Sequence, residues 1–390
     1  MTYTKSLIGP QHEVPTEADP LLVTILSWPR PHGSPAEGRF RAWLAAHILD
    51  AYPTGKVQYL GAGSMFVAVP LPDGKASTTM FSCHIDTVDA QSCGKDAEPV
   101  RKMLTYDPNF GIIALDKNTV NGTCLGADDG VGVWIMLKLL KAKCPGGYMF
   151  HTGEECGGIG STANVKDFQT TLAKFKLALA FDRADDSEVI THQRGRSECA
   201  SDVCAKALCD RLNKHGFEFE PSSRGVFTDT ANYRHIIPEC FNLGVGYRNQ
   251  HGANETLDYS HASALVDALC RVDWPSLPIV RDPKKPEPQP AKWSSNYGGM
   301  AGGLWGDKTD FDYPTKKKAK KATPKPPEYT LPVSAFDDAM LTSRDDIAYL
   351  CESSPEVVVD MVVDLTVEVA RLRAEVMVLR AFNLGEKYAN

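Results

Sequence analysis

Five short segments of this 390-residue chain each offer one side chain able to bind a divalent metal, and four of the five follow a short apolar run. They are Ser82-Cys83-His84-Ile85-Asp86, Gly126-Ala127-Asp128-Asp129-Gly130, Thr152-Gly153-Glu154-Glu155, Ala180-Phe181-Asp182-Arg183 and Asn249-Gln250-His251-Gly252. Two imidazoles and three carboxylates, with a spare glutamate beside one of them, are what two divalent cations and a water-activating base require. Each fragment alone also has a plain reading. A His-x-Asp pair is common, and Asp128-Asp129 between glycines fits a turn or a helix cap. Glu154-Glu155 fits a solvated loop, and Asp182 could pair with Arg183. The order His, Asp, Glu-Glu, Asp, His makes the joint signal, with separations of 44, 26, 27 and 69 positions.

Such residues act together only if the fold brings distant segments to one place. Apolar runs suited to strands recur at Met65–Val69, Thr78–Cys83, Gly147–His151, Leu177–Phe181, Val189–His192 and Cys240–Tyr247. Helix-like stretches lie between them at Phe40–Ala51, Val131–Ala142, Ser201–His215 and Ala262–Val272. This alternation predicts an α/β fold, a three-layer α/β/α arrangement around a mixed, mostly parallel sheet. In open α/β sheets ligands sit beyond the carboxyl ends of the strands. His84, Glu154, Glu155 and Asp182 each fall just after an apolar run, and Asp128 sits in a glycine-rich turn before a helix. His84 and Asp86, two apart at a strand end, are expected to point the same way, one binding metal and the other orienting the imidazole.

Composition bounds the rest. The net charge of −7 argues against nucleic acid as the main partner, and no apolar stretch is long enough to cross a bilayer. Eleven scattered cysteines, with no Cys-x-x-Cys pair, suit reduced thiols in a cytoplasmic setting, and the polar N-terminus lacks a secretory apolar core. Residues 1–275 read as the catalytic domain. Residues 276–332, rich in proline, glycine and lysine and including Lys316-Lys317-Lys318-Ala319-Lys320-Lys321, read as a flexible linker. Residues 333–390 form a C-terminal helical segment. Val358, Val362, Leu365, Val369, Leu372, Val376 and Leu379 alternate steps of four and three, which over 355–382 predicts a helix. Valine and leucine at the two seam positions suit a parallel homodimeric coiled coil, while docking on the chain's own domain is the other reading.

At this point the chain resembles the co-catalytic di-zinc exopeptidases, the clan of zinc aminopeptidases, peptidase T and glutamate carboxypeptidase. The matching pieces are the His84-Ile85-Asp86, Ala127-Asp128-Asp129, Gly153-Glu154-Glu155 and Phe181-Asp182 segments, plus His251 followed by Glu255, over about residues 55–270. The resemblance implies two Zn²⁺ per chain, with Co²⁺ or Mn²⁺ as alternatives. One ion would be held by His84 and Asp182 and the other by Glu155 and His251. Asp128 would bridge them through a cis peptide to Asp129, Asp86 would back His84, and Glu154 would be the general base. His235 and His261 compete with His251 for the last ligand position, and His251 is preferred because it follows an apolar run and precedes Glu255. Arg194 and Arg196 are candidates to bind a substrate carboxylate, against a solvated-turn reading. Asp229, in Thr228-Asp229-Thr230, resembles a stretch near the clan's substrate pocket. Cys156, beside Glu155, is expected to be a small packed residue. Many members insert a lid domain between the last two ligands, and the 69 positions available here leave no room for one.

The expected activity is hydrolysis of a terminal peptide bond, as an aminopeptidase. The alternatives are a carboxypeptidase, an N-acyl-amino-acid deacylase, or a scaffold that has lost the chemistry.

Overall fold

The computed structural model describes residues 12–89, 101–116, 118, 123–193 and 197–285. Arg194, Arg196, the lysine run and the heptad segment 355–382 lie outside the described residues.

In chain order the elements begin with α1 (Pro20–Leu26), α2 (Pro35–Ala51), β1 (Gln58–Tyr59), β2 (Met65–Val69), β3 (Thr79–His84), β4 (Leu104–Asp107) and β5 (Ile112–Leu115). They continue with α3 (Ala127–Lys141), β6 (Gly146–His151), α4 (Ile159–Asp167), α5 (Gln169–Leu172), β7 (Leu177–Arg183), β8 (Glu188–Ile190), β9 (His192–Gln193) and β10 (Ser197–Glu198). The last are α6 (Asp202–Asn213), β11 (Glu220–Ser222), β12 (Glu239–Gly244), β13 (Tyr247–Arg248), β14 (Thr256–Asp258) and α7 (Tyr259–Leu269).

Eight strands form the main sheet in the order β1-β2-β6-β3-β7-β12-β8-β11. Its centre, β6-β3-β7-β12, is parallel, and antiparallel pairs join β1 to β2, β2 to β6 and β8 to β12. The central strands are buried on both faces, as parallel strands must be. Successive side chains alternate between two apolar clusters. Phe81, Tyr148, Leu179 and Phe241 belong to the cluster that includes α1, α2, α3 and α7, while Met80, Met149, Ala178 and Cys240 belong to the one with Phe168 and Leu172. That two-sided alternation is the three-layer α/β/α architecture expected from the sequence.

Helix starts follow local chemistry. Ser34 accepts from Glu37 N–H before Pro35 in α2, Ser201 accepts from Cys204 N–H in α6, and Asp258 accepts from His261 N–H in α7. Helix α3 begins differently, after Gly126 at φ 76°, a left-handed conformation that glycine adopts without penalty.

A second, antiparallel sheet, β13-β14-β5-β4, lies outside the sequence expectation. Its strands are two to four residues long, too short for the sequence pattern to mark them as a sheet. The domain boundary also shifts. Residues 276–285 were assigned to the linker, yet Val280 and Arg281 donate backbone N–H bonds to Glu239 Oε1 at 2.8 and 2.9 Å. The Arg281 guanidinium donates to the carbonyls of Arg234, Ile237 and Pro238. Glu239 is fully buried at the start of β12, and a buried carboxylate needs these donors. Among the described residues no helix is long and apolar enough to cross a membrane, and the nine described cysteines are free.

Candidate metal centre

The five segments converge at the carboxyl end of the main sheet. Pairing of His84 with His151, and of Ser82 with Ala180, sets the register of β6, β3 and β7, so His84 and Asp182 emerge from neighbouring strands at the same level. Asp128 enters from the start of α3, Glu154 and Glu155 from the turn after β6, and His251 from the loop between β13 and β14.

Two groups of ligand atoms result, His84–Asp128–Asp182 and Asp128–Glu155–His251, each with its atoms within 4.8 Å of one another. Asp128 belongs to both. Its Oδ1 lies 2.9 Å from His84 Nε2 and its Oδ2 lies 3.1 Å from His251 Nε2. Asp182 Oδ1 is 3.6 Å from His84 Nε2, and Glu155 Oε1 is 3.1 Å from His251 Nε2. The peptide between Asp128 and Asp129 is cis.

The donor set fits a pair of divalent cations. Three ligand carboxylates, two imidazoles and the nearby Asp129 and Glu154 crowd into a largely buried volume, and such a collection of negative groups needs cations or protons. Glu155 Oε1 is buried and, despite its nearness to His251, makes no hydrogen bond of acceptable geometry. Atoms that approach without bonding one another are arranged around a common third point.

Protonation in the metal-free centre tells the same story. Burial works against charging His84, yet Asp128, Asp182 and Asp86 hold its pKa well above the ordinary value. The adjacent Asp128 and Glu155 carboxylates raise His251 to about 10. Burial and the neighbouring Asp182 push Glu154 up to about 10, and burial with the Asp128 charge pushes Asp182 up to about 6. Burial would also raise Asp128, but hydrogen bonds from His251 and His84 hold it below the usual carboxylate range. Protons thus occupy the roles that cations fill in a loaded site.

The supporting residues are partly those expected. His84 Nδ1 lies 3.0 Å from the Asp86 backbone carbonyl and 3.7 Å from the Asp86 carboxylate. The carbonyl accepts the Nδ1–H hydrogen bond, and Nε2 faces the ligand cluster. The Asp86 carboxylate stands behind the ring as an ion-pair partner, although β3 ends at His84 and strand alternation does not extend to Asp86. The same carboxylate also accepts the backbone N–H groups of Glu154 and Glu155, each at 3.2 Å, and fixes the turn that carries both. Asp129 accepts from His84 N–H at 3.1 Å and from Gly132 N–H at 3.1 Å, tying the α3 start to β3.

Glu255 was noted in the sequence only as a neighbour of His251, and Tyr247, Asn242 and Arg30 were not marked as site components. Glu255 accepts from Gly126 N–H at 2.9 Å and Asp128 N–H at 3.0 Å, clamping the loop beneath Asp128, and burial pushes its pKa up to about 7. Its position four residues after His251 was the available signal. Tyr247 donates to Asp182 Oδ1 at 3.3 Å, and the Asn242 side chain both accepts from Asp182 N–H and donates to Asp182 C=O. Fully buried Arg30 donates to the carbonyls of Ile85 and Gly126, bracing two ligand loops at once.

Three expectations shift. Asp229 does not line the cleft. It is 1% exposed, and its Oδ2 lies 3.4 Å from His151 Nδ1, because the 3₁₀ turn Asp229–Tyr233 packs against α4 and faces it inward. Arg183 pairs with Glu188 and not with Asp182, since neighbours on a strand face opposite ways. Cys156 is exposed. Of the competing histidines, His261 is buried against Phe217 and Phe219, and His235 belongs to neither ligand group.

A cleft of about 290 Å³, at the lower end of small-ligand sites, opens over both groups. Asp128, Glu154, Glu155 and Asp182 form its acidic floor, and Val226, Phe227 and Tyr247 contribute apolar surface.

No protein-family model and no curated protein sequence matches the chain. Solved structures do. An aminopeptidase PepT from Bacillus cereus superposes with a TM-score of 0.50 at 14% identity, covering 64% of this chain and 95% of that one. A tripeptidase from Staphylococcus aureus gives 0.48 at 13% identity over 64% of this chain and 95% of its own. The TET1 peptidase of Pyrococcus horikoshii gives 0.43 at 15% identity, with 64% and 97% covered. At these identities the likeness speaks to architecture alone, and the first of them carries it: this chain shares the α/β fold of that Bacillus cereus protein.

Proposed function

We propose that the protein is a metal-dependent exopeptidase that removes the amino-terminal residue of a peptide. The observation that carries the reading is Asp128, whose two carboxylate oxygens face two separate ligand groups. His84 and Asp182 would hold one ion, Glu155 and His251 the other, with Asp128 shared. The mixed nitrogen and oxygen donors suit Zn²⁺, and Co²⁺ or Mn²⁺ are accommodated by the same set. Two such ions supply Lewis acidity toward both water and the scissile carbonyl.

The protein's own groups do the rest. Glu154, held at the cleft by the Asp86-bound turn, takes the proton from water and returns it to the departing amine. Cations in both ligand groups favour its ionised, basic form over the protonated one of the metal-free centre. The similar Bacillus cereus structure is of an aminopeptidase, which supports the choice of an amino over a carboxyl terminus. Metal analysis, together with a panel of aminoacyl, acyl-amino-acid and C-terminal peptide substrates, tests the reading. The expected result is two metals per chain and turnover confined to substrates with a free amino end.

A further inference from the structure

One side chain in the cleft wall has hydrogen-bonding capacity that the protein leaves unused. Gln193 ends β9, lines the same cleft as Glu154 and Asp182, and is 1% exposed. Neither its Nε2 nor its Oε1 has a hydrogen-bond partner. Single buried polar atoms without partners occur elsewhere, among them Trp134 Nε1 and Asn164 Oδ1, but among the described residues Gln193 alone has two such atoms. Buried amides are ordinarily satisfied, because folding strips them of water.

The surroundings preserve this arrangement. Gly225, also in the cleft wall, runs so close that a Cβ there would lie 2.6 Å from Gln193 Oε1 and would strike the His192 carbonyl. Any side chain at 225 would displace the amide. Val226 and Phe227 follow it, giving an apolar border to a polar spot.

We propose that Gln193 is a specificity-determining residue whose side-chain amide pairs with a peptide group of the substrate other than the one being cleaved. An amide offers a donor and an acceptor together, and a peptide group is the substrate moiety that meets both. An ammonium group would use only the acceptor and a carboxylate only the donor, each leaving half of Gln193 unmade. A site built to hydrogen-bond its substrate discriminates strongly against analogues that lack the matching group. The inference rests on the exopeptidase reading and adds the part of the substrate that is recognised.

Gln193→Met keeps the length of the side chain and removes both polar functions. For a tripeptide X-Gly-Gly and the p-nitroanilide of the same residue X, the ratio of kcat/KM values should fall about 10- to 100-fold in the variant. In a Glu154→Ala background, calorimetry should show X-Gly-Gly binding weakened by a similar factor. The melting temperature should rise by about 2–4 °C, because two unmade hydrogen bonds disappear from the fold. A lowered melting temperature with an unchanged ratio would mark Gln193 as structural and overturn the proposal. Wild-type protein that carries two metals and cleaves neither substrate would overturn the exopeptidase reading, and the pairing with it.

Discussion

The two halves of the centre are built differently. On one side His84 and Asp182 project from adjacent strands, His84 is 1% exposed, and its ring is fixed by the Asp86 carbonyl. On the other side Glu155 stands on a turn and His251 on a loop, with a half-exposed imidazole and a backbone φ of 64°, in the left-handed region that non-glycine residues seldom occupy. The sheet holds the first pair and loops hold the second. A site on packed strands is preorganised, whereas loop ligands spend part of their binding energy on being ordered. The ion on the His251 side should therefore exchange more readily than the ion on the His84 side.

Asp128→Ala tests the comparison most severely, because it removes the carboxylate common to both halves. It should release both metals and lower kcat/KM on the order of 10⁴-fold or more, read by metal analysis and steady-state kinetics. Glu154→Ala should cost about 10²- to 10⁴-fold in kcat while both metals stay bound, which separates the proton carrier from the ligands. The two histidine variants then address the asymmetry directly. His251→Ala should leave about one metal per chain and shift the melting temperature little. His84→Ala should lose metal and stability together, because it strands Asp128 and Asp182 without their buried cationic neighbour. Equal behaviour of the two variants would erase the distinction drawn above.

The smallest effect is a pH trend in the metal-free protein. Asp182, Asp229 and Glu154 stand near 6, 8 and 10 in the fold, through burial first, and return to ordinary carboxylate values when the chain unfolds. His251, near 10 beside the Asp128 and Glu155 carboxylates, returns to the usual imidazole value. From about pH 4 to about pH 10 the folded form consequently holds more protons than the unfolded one, so stability declines as pH rises across that interval. Melting curves should follow this decline, and saturating Zn²⁺ should flatten it as cations replace the protons. A melting temperature that climbs with pH in the metal-free protein would contradict the buried-carboxylate account.

Much of this was legible because strand ends are legible. His84, Asp182 and the two glutamates each follow an apolar run, and a residue after such a run in a parallel sheet has one place to go. Asp128 was marked by flanking glycines. What escaped has equally physical reasons. The backbone carbonyl of Asp86 lies nearer His84 Nδ1 than its carboxylate does, because the strand has already ended. Asp229 carries a motif-like neighbourhood, but a 3₁₀ turn rotates it into the interior, and turn geometry leaves no periodic trace. Arg30 touches backbone 55 and 96 positions away, contacts that no local pattern encodes. Short strands such as β4, with alternating partial exposure, lacked the apolar contrast that makes a strand visible.

The Glu255 clamp has a temporal consequence. It bonds Gly126 and Asp128 across 129 and 127 positions of chain, so the pocket for either ion closes only after the last of its contributors has been synthesised and has folded back. A nascent or truncated polypeptide ending before that point has scattered acids and no trap. If the centre binds cations as proposed, their capture would be deferred to the finished domain.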